Sequence, residues 1–261
     1  KGQLVNKTQG GGDVSGVTVT LKTYVSDKEK ESKEAKTDKE GRFQFTGLTM
    51  KQGYSYEATA NYQGADYQSD RLTFATGEES KSVELAVYTA TTSEESIKLQ
   101  RAHLLVSADA DGKLQVEEYD IFINQGDKTY VGSKQVSADG KKATLRFGLP
   151  SGASDLQYLL NLMDCCAVKA MEGVVDSMAI PPGPREMGLR YKIDSSGGNY
   201  NISWPVLYPT DGFELLVKGD GVQVASDQLI KGDMLTLEGG QYQHYSAKDI
   251  KPNTTLTAKL T

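Results

Sequence analysis

The feature that most constrains this chain is an alternation of apolar and polar side chains with period two. It is cut into short pieces by glycine, aspartate and asparagine. In VSGVTVTLKTYV, Val17, Val19 and Leu21 alternate with Thr18, Thr20 and Lys22. Period two sends successive side chains to opposite faces, so such a stretch is a strand with one face to bury. RFQFTGL, YSYEATANYQG, ADYQSDRLTFA and KSVELAVYTAT repeat the spelling. Short strands between turn residues build antiparallel β-sandwiches, and the expected fold class is all-β, with sandwiches in tandem.

The first sandwich is expected over residues 1–92 and a larger one over 93–261. TTSEES, Thr91 to Ser96, is polar and small and serves as the linker. The second block is long for one sandwich, and Asp194 marks the point where it would divide into two. SDKEKESKEAKTDKEG is nearly all charged and reads as a solvated loop or hairpin tip. DLQYLLNLMDCCAVKAMEGVVDSM is ambiguous. Leu156, Leu159, Leu160, Met163 and Ala167 carry helical spacing, and two short strands around Asp164 fit equally.

Composition excludes several functions. A net charge of −6 repels phosphate backbones, so nucleic acid is not an expected partner. No run of about 18 apolar residues is present to span a membrane as a helix. The chain opens at Lys1 and ends in a strand-like pattern at Leu260-Thr261, which reads as an exported protein with its leader, and any membrane anchor, removed. The expected location is the cell envelope or outside the cell. Asn6, Asn201 and Asn253 head N-glycosylation sequons.

The stretch TDKEGRFQFTGL spells one hairpin. Asp38 and Gly41 form the turn, and Phe43 and Phe45 point to one face. Together with Gly16, Val17, Val19, Leu21, Thr37, Leu48, Tyr54, Ala58 and Tyr62, these residues resemble the carboxypeptidase regulatory-like domain over roughly the first 90 residues. That resemblance implies a transthyretin-like sandwich, related to the B-type repeats of collagen-binding adhesins, and it implies no particular activity. Adhesin repeats of this kind often carry a Lys–Asn isopeptide bond. Lys22 lies near the position of such a lysine, but SVELAVYTAT contains no asparagine to receive it. VEEYDIFINQGDKTYVG, LPSGAS and PPGPRE resemble the region that follows such domains in uncharacterised bacterial envelope proteins.

Candidate chemistry is sparse. Cys165 and Cys166 are adjacent and match no zinc spacing; a vicinal disulfide, buried thiols and bonds to another chain all fit them. His103 and His244 are the two histidines, and each reads as a structural side chain. Asp109 and Asp111 in DADG fail the calcium-loop pattern and read as a hairpin turn. Glu117 and Glu118 point to opposite faces of a strand and form no carboxylate pair. Tyr200 and Trp204 share a strand face and would stack on sugars if exposed; burial in the sandwich core is the competing reading.

No nucleophile, base and orienting group can be assembled from these residues, and neither metal nor cofactor is expected. The expected function is that of a non-catalytic structural protein mediating assembly or adhesion. Its expected partners are copies of itself or other surface proteins. Edge strands, or the terminal segments Lys1 to Gly12 and TTLTAKLT, would add to a neighbouring subunit, up to a filament. The alternatives are a carbohydrate-binding module and an envelope accessory factor that uses the cysteine pair.

Overall fold

The computed structural model describes residues 1–170, 173–195, 198–219, 222–237 and 240–261. They form an all-β structure. In chain order the strands are β1 (Gly2–Asn6), β2 (Thr18–Val25), β3 (Lys28–Lys36), β4 (Arg42–Phe43), β5 (Tyr54–Tyr62), β6 (Ala65–Gln68), β7 (Val83–Val87) and β8 (Ala90–Thr91). There follow β9 (Ile97–Ala108), β10 (Leu114–Asn124), β11 (Thr129–Tyr130), β12 (Leu145–Gly148), β13 (Ser154–Leu160), β14 (Ala167–Ala170) and β15 (Gly173–Asp176). The last are β16 (Gly183–Ile193), β17 (Tyr200–Val206), β18 (Thr210–Lys218), β19 (Val224–Ala225), β20 (Ile230–Leu237), β21 (Gly240–Ile250) and β22 (Thr254–Leu260).

The chain divides into two compact units. The first is Lys1–Thr92 together with Asp127–Val131. It contains a sheet in the order β3-β2-β5-β6, a sheet in the order β4-β1-β7, and the parallel pair β8-β11. The inward residues Val19, Leu21, Tyr56 and Ala58 of one sheet and Leu4, Phe43, Leu85 and Val87 of the other are buried, as the alternation requires. β11 departs from the expected 1–92 boundary. The Thr129 hydroxyl lies 2.6 Å from that of Tyr67, and Thr8 Oγ1 donates to the Asp127 carbonyl at 2.7 Å. A loop after β10 thus completes the first unit, which is why composition alone missed it.

The hairpin around Gly41 ties β1 into this unit. Asp38 Oδ1 accepts the backbone N–H groups of Glu40 and Arg42 at 3.0 and 2.8 Å. Gly41 has φ +76°, and a Cβ there would meet the Leu4 carbonyl oxygen at 2.3 Å. Only glycine permits both the turn and the approach of β1. The Phe43 and Phe45 rings meet edge to face at 6.0 Å.

The charged run is a strand rather than a loop. β3 pairs with β2 from Thr18↔Lys36 to Val25↔Lys28 and lies at the sheet edge, where both of its faces can stay wet. Lys22 there pairs with Glu29 at 3.8 Å.

The second unit is Ser93–Gly126 with Gly132–Thr261. Its central sheet has the order β13-β16-β10-β9-β18-β21-β20, antiparallel except where β9 and β18 run parallel. Sheets β12-β15-β14 and β17-β22-β19 complete it. The pairing of β9 with β18 spans the position of Asp194, so no division falls there. The Leu156–Ala167 stretch takes the two-strand form. β13 pairs with β16, and Leu160 and Met163, which a helix would have buried on its apolar stripe, are 57% and 43% exposed.

Candidate functional site

β10 buries every second residue: Leu114, Val116, Glu118, Asp120, Phe122 and Asn124 all face inward. Two acids therefore lie two residues apart on one buried face. Glu118 and Asp120 are only 1% and 3% exposed. Trp204 Nε1 on β17 donates to Glu118 Oε1 at 2.9 Å, and the Tyr191 hydroxyl on β16 donates to Oε2 at 3.0 Å. Asp120 hydrogen-bonds to Glu118, while its own Oδ1 has no partner. Burial pushes the Glu118 carboxyl up to about 7 against the pull of its three donors. Burial also raises Asp120, and the neighbouring Glu118 charge adds to the effect. The adjacent pair Glu117–Glu118 drew attention in the sequence, but the facing pair sits at i, i+2, and period two was the signal for it.

These carboxyls are closed off from solvent, where a buried acid requires hydrogen-bond donors or its proton.

Trp204 is 3% exposed, and its ring lies 4.9 Å from that of Phe213. Tyr200 is half-buried and donates to the Gly112 carbonyl at 2.9 Å. The expected sugar-stacking strip is thus not presented: the indole faces the core because its N–H satisfies the buried Glu118.

The histidines are built into the fold. His244 Nε2 pairs with Glu214 Oε2, and Glu214 also meets Arg101 at 3.2 Å. Burial holds His103 below its ordinary value. Asp109 Oδ1 accepts the N–H groups of Asp111 and Lys113, each at 2.9 Å, and Oδ2 meets Lys192 Nζ at 2.8 Å. That carboxylate is consumed by a turn and a lysine. Among the described residues, no group of three or more His, Cys, Asp or Glu side chains could hold a metal ion.

Cys165 and Cys166 form a vicinal disulfide. It lies in the turn between β13 and β14, with Cys165 exposed and Cys166 half-buried. Residues of the same turn and of the approach to β16 line a shallow groove of about 510 Å³, including Asn161, Met163, Met178, Pro181 and Arg185. Arg185 is anchored there by the Ala179 carbonyl at 3.2 Å and by the buried Asp176 carboxylate at 3.6 Å.

The sheet edges differ in kind. β3 carries Lys28, Glu29, Lys30, Glu31, Lys33 and Glu34, charges that discourage strand addition. β13 carries Asp155 and Leu160 at φ +52° and +49°, left-handed positions that interrupt an extended edge. β20 is exposed along its whole length and carries apolar side chains: Ile230 is 74% exposed, and Met234, Leu235 and Leu237 follow. Sequence reading passed over β20 because an apolar strand looks like core until its neighbours are known.

The terminal strands do not offer such an edge. β1 lies between β4 and β7. β22 lies between β17 and β19, and Gln228 covers part of its edge by accepting from Thr257 N–H and donating to the Thr255 carbonyl, each at 2.9 Å.

A scan against protein-family models gives no match, and a search of curated protein sequences gives none either.

Proposed function

We propose that this is an exported, non-catalytic assembly module, and that it associates with a second copy of itself through β20. The observation that carries this reading is the exposed apolar edge Ile230–Leu237, set against the charge-guarded edge of β3. Self-pairing also has a chemical complementarity. An antiparallel pairing about Gly232 sets Lys231 opposite Asp233, Ile230 opposite Met234 and Leu229 opposite Leu235, each twice by symmetry. The shift in register between Lys231 and Met234 falls at the crossing point, where glycine has no side chain to clash.

Both terminal strands already have partners within the chain, so assembly is assigned to the β20 edge rather than to them. Export is supported by the disulfide, which persists in oxidising compartments.

One added strand is a small contact beside the roughly 800 Å² per partner of a standard interface, so association rises with concentration. Sedimentation velocity over a concentration series tests the reading. The wild type should shift from monomer toward dimer, and Leu235→Lys should stay monomeric with an unchanged circular dichroism spectrum. A wild type that remains monomeric throughout would overturn it.

A further inference from the structure

We propose that the Cys165–Cys166 disulfide is a thiol-exchange site that takes an incoming thiolate at the Cys165 sulfur.

Its place in the chain argues against a structural role. A disulfide stabilises mainly by restricting the unfolded chain, and more so as the loop it closes lengthens. Adjacent residues close the shortest loop there is. The bond links no two distant strands, and the turn is already held by other means. The Cys166 N–H donates to the Met163 carbonyl at 3.0 Å, and the Ala167 N–H donates to the same oxygen at 2.8 Å. The Cys166 carbonyl accepts from the Ser177 N–H at 3.0 Å and the Ser177 hydroxyl at 2.8 Å. None of these bonds runs through a sulfur atom.

The two sulfurs are not equivalent. Cys165 is exposed, and Cys166 is half-buried and pinned through its backbone on both sides. An external nucleophile therefore meets Cys165 first, with Cys166 as the leaving group on the inner side. Lys141 Nζ, paired with Asp139 at 3.2 Å, donates to the Cys165 carbonyl at 2.9 Å and so holds the turn from its outer side as well. Met163, two residues before Cys165, lines a groove together with Met178 and Arg185.

The chemistry balances as follows. A thiolate RS⁻ attacks Cys165 Sγ; the Sγ–Sγ bond breaks, and its electron pair leaves on Cys166 Sγ. The product is a mixed disulfide on Cys165 and a thiolate on Cys166. That thiolate is tethered one residue away, so it can re-form the ring and expel RS⁻. Alternatively, a second RS⁻ attacks the external sulfur, releasing RSSR and leaving the protein with two thiols. The net change is two electrons from two thiols to one disulfide.

The test uses the whole chain, purified without reductant and treated with millimolar glutathione at pH 8. Adducts are quenched with acid and located by peptide mass spectrometry. The expected result is one glutathione per chain, on Cys165, with an unchanged circular dichroism spectrum. In a second arm, Cys166→Ser should label with an alkylating reagent several-fold faster than Cys165→Ser. Three results would overturn the proposal: two free thiols in the untreated protein, adducts only after denaturation, or adducts on Cys166.

Discussion

Trp204 Nε1 donates a 2.9 Å hydrogen bond to the Glu118 carboxyl in the interior of the second unit. That bond explains both why the one tryptophan is turned away from solvent and how a carboxyl survives at 1% exposure. Its partner Asp120, two residues along the same strand, shares the burial. The pair makes the stability of the second unit depend on pH.

The sign follows from the direction of the shifts. Glu118 is held near 7 and Asp120 is raised, so the folded state keeps protons that the unfolded chain has lost. Stability contributed by protonation is complete below the ordinary carboxylate range of roughly 4. It falls as pH rises toward 7, by up to about 1.4 kcal/mol per pH unit for each proton retained. Urea denaturation between pH 5 and 8 should show this fall, and Glu118→Gln should flatten it. An equally steep curve in the variant would assign the titration elsewhere.

Trp204→Phe keeps most of the aromatic bulk and deletes the donor. Glu118 then loses a bond that favours its charged form, so the carboxyl rises further. The expected loss is roughly 1–3 kcal/mol. It should be larger at pH 8 than at pH 5, read from denaturation midpoints at the two pH values.

Gly41→Ala places a Cβ 2.3 Å from the Leu4 carbonyl in a left-handed backbone conformation. Strain and displacement of β1 together should cost roughly 2–4 kcal/mol. Differential scanning calorimetry of the whole chain checks this, as a lowered transition for the first unit. A melting curve matching that of wild type would show that β1 does not depend on this turn.

Ending the chain at Thr92 removes β11 and with it the Tyr67–Thr129 and Thr8–Asp127 hydrogen bonds. The fragment should melt several degrees below the first unit of the whole chain. Adding a peptide of residues 125–133 should recover part of the difference.

Much of the fold was legible because period two is a local signal. Val19 and Leu21, Phe43 and the Gly41 turn are set by their immediate neighbours. What was not legible depends on distant pairing. β3 is a strand because β2 offers it an edge, and its charges say only that both faces stay wet. Leu160 and Met163 carry helical spacing by coincidence, since Leu160 ends a strand paired with β16 and Met163 lies in the turn that follows, and both are exposed. The Glu118–Asp120 pair could have been found by carrying the alternation of β10 through to its acids. The exposure of β20 could not, because an apolar strand is an edge only in relation to the sheet that stops there.

The most direct measurement of the central claim is amide hydrogen exchange at low and high protein concentration. The account predicts that amides of residues 229–235 become protected as concentration rises, while those of Lys28–Lys36 do not change. Exchange in β20 that stays fast while the protein associates, or that never changes with concentration, would contradict it.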